Sequence, residues 1–162
     1  MLAHPSHWIA LGFGSGLFPI APGTCGTLFG WLLFDLGQPA LSFWGSWLTL
    51  LVSLVVGTWA CEKTGRDLGS PDHGAMVWDE IVAIWLVLLC APPGWAWQCV
   101  GFILFRLFDI VKPPPIRFVD RRWKGGMGVM ADDLVAAFFT LLVMALLKRL
   151  VPVAALEVLH LS

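Results

Sequence analysis

The chain has 162 residues, of which 58% are apolar and only 13% charged. A soluble domain of this size carries about a quarter charged residues and needs them to cover its surface. That excludes an ordinary water-soluble globule and leaves a single domain, residues 1–162, clothed largely by lipid. The formal net charge of -1 identifies no partner, and nucleic acid is not expected as one.

Residues 1–11 carry no basic n-region, so no signal peptide is expected there. The first apolar run, residues 24–38, opens at Thr24 and closes at Gly37–Gln38–Pro39. The second, residues 41–60, is uncharged throughout. At ~1.5 Å per residue it gives ~30 Å, a full hydrocarbon crossing. Residues 61–76 then read as a polar loop. A third run, 77–91, stops at Pro92–Pro93–Gly94, and a fourth, 95–111, stops at Lys112 and three prolines. Residues 112–133 are the most charged stretch, and a fifth run covers 134–150. The first and third runs reach only ~22 Å as helices. They are read as short spans or re-entrant segments. Ten tryptophans, most of them near the ends of these runs, fit an aromatic belt. The fold expected is all-α: an integral membrane bundle of about four to five short helices.

Lys63 and Arg66 lie in the 61–76 stretch, and Lys112, Arg117, Arg121, Arg122 and Lys124 in the 112–133 stretch. Alternating spans put both on one side, which the positive-inside rule makes the cytosol. Lys148 and Arg149 run against the rule. The glycine-rich stretch before the first run reaches the same face. Three polar stretches distant in sequence are therefore expected to form one site. The four cysteines, Cys25, Cys61, Cys90 and Cys99, form no CxxC pair and read as buried thiols.

Carboxylates gather where the runs meet that face. Asp79 and Glu80 start the third run, Asp109 ends the fourth, and Asp132 and Asp133 precede the fifth. Helix capping and interface charge also explain Asp79 and Asp132. Asp109 opposes the dipole at a helix C-terminus and stands three residues from both Arg106 and Lys112, so a salt bridge or a ligand role is open to it. Carboxylates meeting in a partly dry pocket repel, and a hard divalent cation relieves that. Mg²⁺ held by Asp79, Glu80, Asp132 and Asp133 is expected, with Asp109 a further ligand or catalytic group.

The segment GFGSGLFPIAPGTCGT, residues 12–27, allows tight turns and close backbone approach. Thr24 is expected to cap the helix behind it, and Ser15, Gly23 and Thr24 to meet a phosphate; close helix packing explains the same glycines. Lys112, Arg117 and Arg106 are the basic candidates for that phosphate. Arg121, Arg122 and Lys124 read as anchors at the membrane surface. Gly125, Gly126 and Gly128 are expected to give a mobile segment. His73, in SPDHG, is a candidate acid or base for the leaving oxygen. No Cys-x5-Arg loop, P-loop or DxD nucleophile motif is present, so metal-assisted attack by water is the mechanism left.

Four ordered motifs, GFGSGLFPIAPGTCGT, VWDE with the preceding DHG, FRLFDIVKPPPIR and GGMGVMADD, resemble the phosphatidylglycerophosphatase A family. The resemblance implies a Mg²⁺-dependent enzyme of the bacterial inner membrane, its site facing the cytosol. It implies hydrolysis of phosphatidylglycerophosphate to phosphatidylglycerol and phosphate. The family's polar motifs map onto Asp79, Glu80, Asp109, Lys112, Arg117, Asp132 and Asp133. A small transporter or channel, or a non-catalytic membrane subunit, are the alternatives; liposome flux or phosphate release would separate them.

Overall fold

The computed structural model describes residues 4–150, so residues 1–3 and 151–162 of the expected domain lie outside the described residues. Within them the secondary structure is entirely helical. A short helix α1 (Pro5–Ala10) leads through a 3-10 turn at Gly12–Leu17 into α2 (Pro22–Gly37). Then follow α3 (Phe43–Leu68), α4 (Trp78–Cys90), α5 (Trp95–Val111), α6 (Ile116–Arg122) and α7 (Gly125–Leu150). Helices α3 and α7 are each long and apolar enough to cross a membrane.

The ends of these helices follow local chemistry. Ser42 Oγ accepts a hydrogen bond from Gly45 N, 3.1 Å, and caps α3. Gly69, at φ 65°, ends the same helix in the left-handed conformation that glycine adopts without strain. Pro22 supplies the first residue of α2, where a missing N–H costs nothing.

Four expectations change. The second run does not stop at residue 60: α3 continues to Leu68, so Glu62, Lys63 and Arg66 are helical. Two ion pairs at i,i+4, Glu62–Arg66 and Lys63–Asp67, extend the helix past its apolar part. Thr24 does not cap α2; Ala21 holds the cap position with φ 51° and no side-chain bond. The stretch 112–133 holds helix α6, and Gly125, Gly126 and Gly128 begin α7 instead of forming a mobile segment. Asp132 and Asp133 thus lie inside α7, and Val77, not Asp79, caps α4.

Helix α4 is the centre of the bundle, packed against α2, α3, α5 and α7. Ile81, Val82, Ala83, Ile84 and Val87 are fully buried along it. Small residues let its neighbours close in. A Cβ on Gly26 would strike Val77, one on Gly30 would strike Ile81 and Ile84, and one on Gly57 would strike Trp78. The outward faces are apolar. Leu28, Leu32 and Leu36 on α2, Leu48, Leu51 and Val55 on α3, and Phe138, Leu142 and Leu146 on α7 are all exposed at helical spacing.

Candidate active site

The charged groups collect at one end of the bundle. There the N-termini of α2, α4 and α7 meet the C-terminal end of α5. Asp79 and Glu80 occupy the first turn of α4, and Asp133 faces them from α7. Each offers an oxygen within 4.8 Å of the others. Asp79 and Asp133 are buried, at 9% and 3% exposure. Asp79 Oδ1, Glu80 Oε2 and Asp133 Oδ2 are buried without a hydrogen-bond partner among the described residues.

Asp109, near the end of α5, adds its charge to Glu80 and Asp133. Arg106, one turn earlier, pairs with Asp109 Oδ2 at 2.7 Å and with Glu80 Oε1 at 3.6 Å. Its Nη1 also donates to Thr27 Oγ1, 3.3 Å, while its Nε has no partner. Thr27 in turn donates to Gly23 O, 2.8 Å. A Cβ on Gly23 would strike Glu80 Oε1 and the Arg106 guanidinium, so α2 starts hard against the pocket. Four carboxylates therefore face one guanidinium. Orphaned buried carboxylate oxygens are costly unless a cation meets them. They are hard donors of the kind a divalent cation takes, and Asp79, Glu80 and Asp133 fit such an ion.

Asp132 goes elsewhere. Its Oδ2 accepts from Lys112 Nζ at 2.5 Å, and Lys112 also reaches Asp120 Oδ1 at 3.0 Å. Burial works against the Lys112 charge, but the hydrogen bonds to Asp132 and Asp120 outweigh it and hold the ammonium above the usual lysine range.

The other sequence candidates make local contacts of their own. Ser15 Oγ donates to Gly12 O, 2.8 Å, and closes its own turn. That turn is needed for packing: Gly12 has φ 55°, and a Cβ on Gly16 would overlap Ala75 O. Val77 N donates to Ala10 O, 2.8 Å, tying the N-terminal segment to the entrance of α4. Thr24 is half-buried, one residue past Gly23. His73 Nδ1 accepts from Ala75 N, 3.2 Å, which leaves the proton of a neutral ring on Nε2. Arg117 is exposed on α6, its Nη2 donating to Val111 O at 3.4 Å. The three stretches expected to touch do so: Gly23 meets Glu80 and Arg106, and Asp133 meets Asp79.

Two residues were not singled out from sequence. Thr27 steadies Arg106, and its only signal was its place four residues after Gly23. Glu62 Oε2 accepts from Gly126 N, 2.6 Å, and so caps α7 from a neighbouring helix. Its signal, an acidic residue just beyond an apolar run, read as loop.

Relatives are similar to this chain over most of their length. Phosphatidylglycerophosphatase A of Escherichia coli (strain K12) is 42% identical over 140 residues, 83% of this chain and 78% of that one. Phosphatidylglycerophosphatase A of Haemophilus influenzae is 43% identical over 146 residues, 88% of each. A putative phosphatidylinositol-3-phosphatase of Bacteroides thetaiotaomicron is 38% identical over 148 residues, 86% of this chain and 91% of that one. No solved structure matches. The model of the family Phosphatidylglycerophosphatase A matches residues 8–148, and the chain belongs to that family.

Proposed function

We propose that the chain is a membrane-embedded lipid phosphatase. It hydrolyses phosphatidylglycerophosphate to phosphatidylglycerol and phosphate, with Mg²⁺ as cofactor, at the cytosolic face of a bacterial inner membrane. One observation carries this reading. Three carboxylates, each with one buried and orphaned oxygen, converge at the charged end of a bundle whose outer faces are apolar. The relatives' names supply the substrate. Helices α3 and α7 span the bilayer, and the shorter α2, α4 and α5 lie within it, their charged ends level with the headgroups. Trp59 and Trp123 mark that level, and Trp44 and Trp95 the opposite one, all four exposed.

Asp79, Glu80 and Asp133 would hold Mg²⁺, which would supply positive charge to the phosphoryl oxygens and make water more acidic. The chain's own groups do the rest. Arg106, fixed by Glu80, Asp109 and Thr27, turns its unpartnered Nε to a phosphate oxygen. Asp109, beside Asp133, takes a proton from the attacking water. The water oxygen bonds to phosphorus as the bond to the glycerol oxygen breaks. His73 Nε2–H gives that oxygen its proton. Lys112 holds Asp132, and with it the turn of α7 that carries Asp133.

The test is phosphate release by the purified chain from phosphatidylglycerophosphate, phosphatidylinositol 3-phosphate and phosphatidic acid, with Mg²⁺ and with excess EDTA. The expected result is release from the first lipid that EDTA abolishes and Mg²⁺ restores. Release that persists in EDTA sinks the metal assignment, and none from any lipid sinks the enzyme reading. The Bacteroides relative's name favours a second substrate, a phosphoinositide, and the same panel decides between them.

A further inference from the structure

Helix α6 is set apart from the pocket by its two faces. Inward, Ile116 is buried and Asp120 turns to Lys112. Outward, Arg117, Phe118, Arg121 and Arg122 are exposed and, with Pro114, line a shallow open groove. Phe118 is 65% exposed, and Trp123 just beyond it 53%. Among the described residues the ion pairs of arginine and lysine engage Lys63, Arg66, Arg106 and Lys112. Arg117, Arg121, Arg122 and Lys124 form none, so this positive charge meets no acidic side chain among the described residues.

We propose that the outward face of α6 is a docking surface for anionic lipid headgroups, separate from the carboxylate pocket, that concentrates lipid substrate beside it. Position and chemistry select this occupant. The helix joins the ends of α5 and α7, whose flanking side chains Leu107, Ile110, Val111 and Met127 are exposed and apolar. A basic face beside an exposed phenylalanine and tryptophan, at the end of membrane helices, suits the headgroup layer. The cytoplasmic leaflet is anionic and attracts basic side chains at its surface. Asp120 of α6 and Asp132 of α7 share Lys112, so the docking helix is fastened to the turn that carries Asp133. The proposal rests on the lipid-phosphatase reading for its consequence, but not for its binding step.

The experiment therefore has a binding arm and a kinetic arm, both on the full chain reconstituted in zwitterionic vesicles. In the binding arm, spin-labelled phosphatidylglycerol and spin-labelled phosphatidylcholine are compared for the fraction immobilised by the protein. The wild type favours the anionic label, and Arg121→Gln/Arg122→Gln loses that preference. Arg121→Lys/Arg122→Lys keeps it. In the kinetic arm, the surface fraction of phosphatidylglycerophosphate giving half-maximal rate rises about fivefold or more for the Gln pair, while kcat stays within about twofold. Added salt moves the wild type toward the Gln pair. A Gln pair with unchanged lipid preference overturns the proposal and leaves the face to solvent or an acidic protein. A wild type that binds the label selectively yet releases no phosphate overturns the enzyme reading alone.

Discussion

Asp132 and Asp133 are neighbours on one helix and have opposite surroundings. Asp132 is matched: one lysine serves it and Asp120, and every charge in that knot has a partner. Asp133 is unmatched: it shares a buried pocket with Asp79, Glu80 and Asp109, against Arg106 alone. A fold built only for stability would not gather four carboxylates this way, because each buried charge without a partner costs several kcal/mol. The matched knot holds structure and the unmatched pocket stores a deficit that a cation and a phosphate can share. Functional groups that oppose stability are the expected sign of a working site.

The largest effect should come from removing charge where it is unmatched. Asp133→Asn or Asp79→Asn should cut phosphate release by ~10²–10³-fold or more. Without metal, the same variants should melt at or above the wild-type temperature, since a repelled charge has gone. Mg²⁺ at about a hundred times its Kd should stabilise the wild type by ~2.7 kcal/mol and the Asp133→Asn variant far less. A metal-free Asn variant that melts lower than the wild type would mean that protein groups already satisfy this carboxylate. The comparison would then fail.

Asp132→Asn is the counterpart, and its sign on stability should reverse. It takes a partner from Lys112, which keeps Asp120. A loss of ~1–3 kcal/mol in unfolding free energy is expected, together with a ~10–100-fold loss of activity through displaced α7. Equal melting temperatures for Asp132→Asn and Asp133→Asn would show the two sites to be alike.

This division was only half legible in the sequence. The apolar runs gave α2, α4 and α5 nearly to the residue, because prolines and glycines bound them. The shared end of the bundle followed from the alternation of the spans. Composition misread residues 61–68: charged residues looked like loop, while i,i+4 pairing keeps them helical. Gly125, Gly126 and Gly128 misled for a related reason. Glycine reads as freedom, but here it is room: a Cβ on Gly126 would overlap Thr58 O of α3, and one on Gly128 would overlap Trp123 O. Which aspartate of the pair meets the pocket was illegible. Adjacent residues on a helix point about 100° apart, and only the packed position of Lys112 separates their fates.

The smallest effect should come from Glu62, and it tests how far the pocket extends. Its Oε2 holds Gly126 N at 2.6 Å, and Arg66 holds its other oxygen. Glu62→Ala removes a cap and should cost ~0.5–2 kcal/mol, while Glu62→Gln, which keeps an acceptor oxygen, should restore most of it. Asp133 lies seven residues beyond the capped amide, ~10 Å along the helix. Fraying of the first turn should reach it weakly, because Gly126 and Gly128 still pack where no Cβ would fit. Turnover should therefore fall less than about tenfold, in step with melting temperature and with Mg²⁺ stabilisation intact. If Glu62→Ala instead matched Asp133→Asn in turnover and lost the Mg²⁺ effect, the carboxylate on α3 would belong to the unmatched set. The boundary between scaffold and pocket would then have to move out to α3.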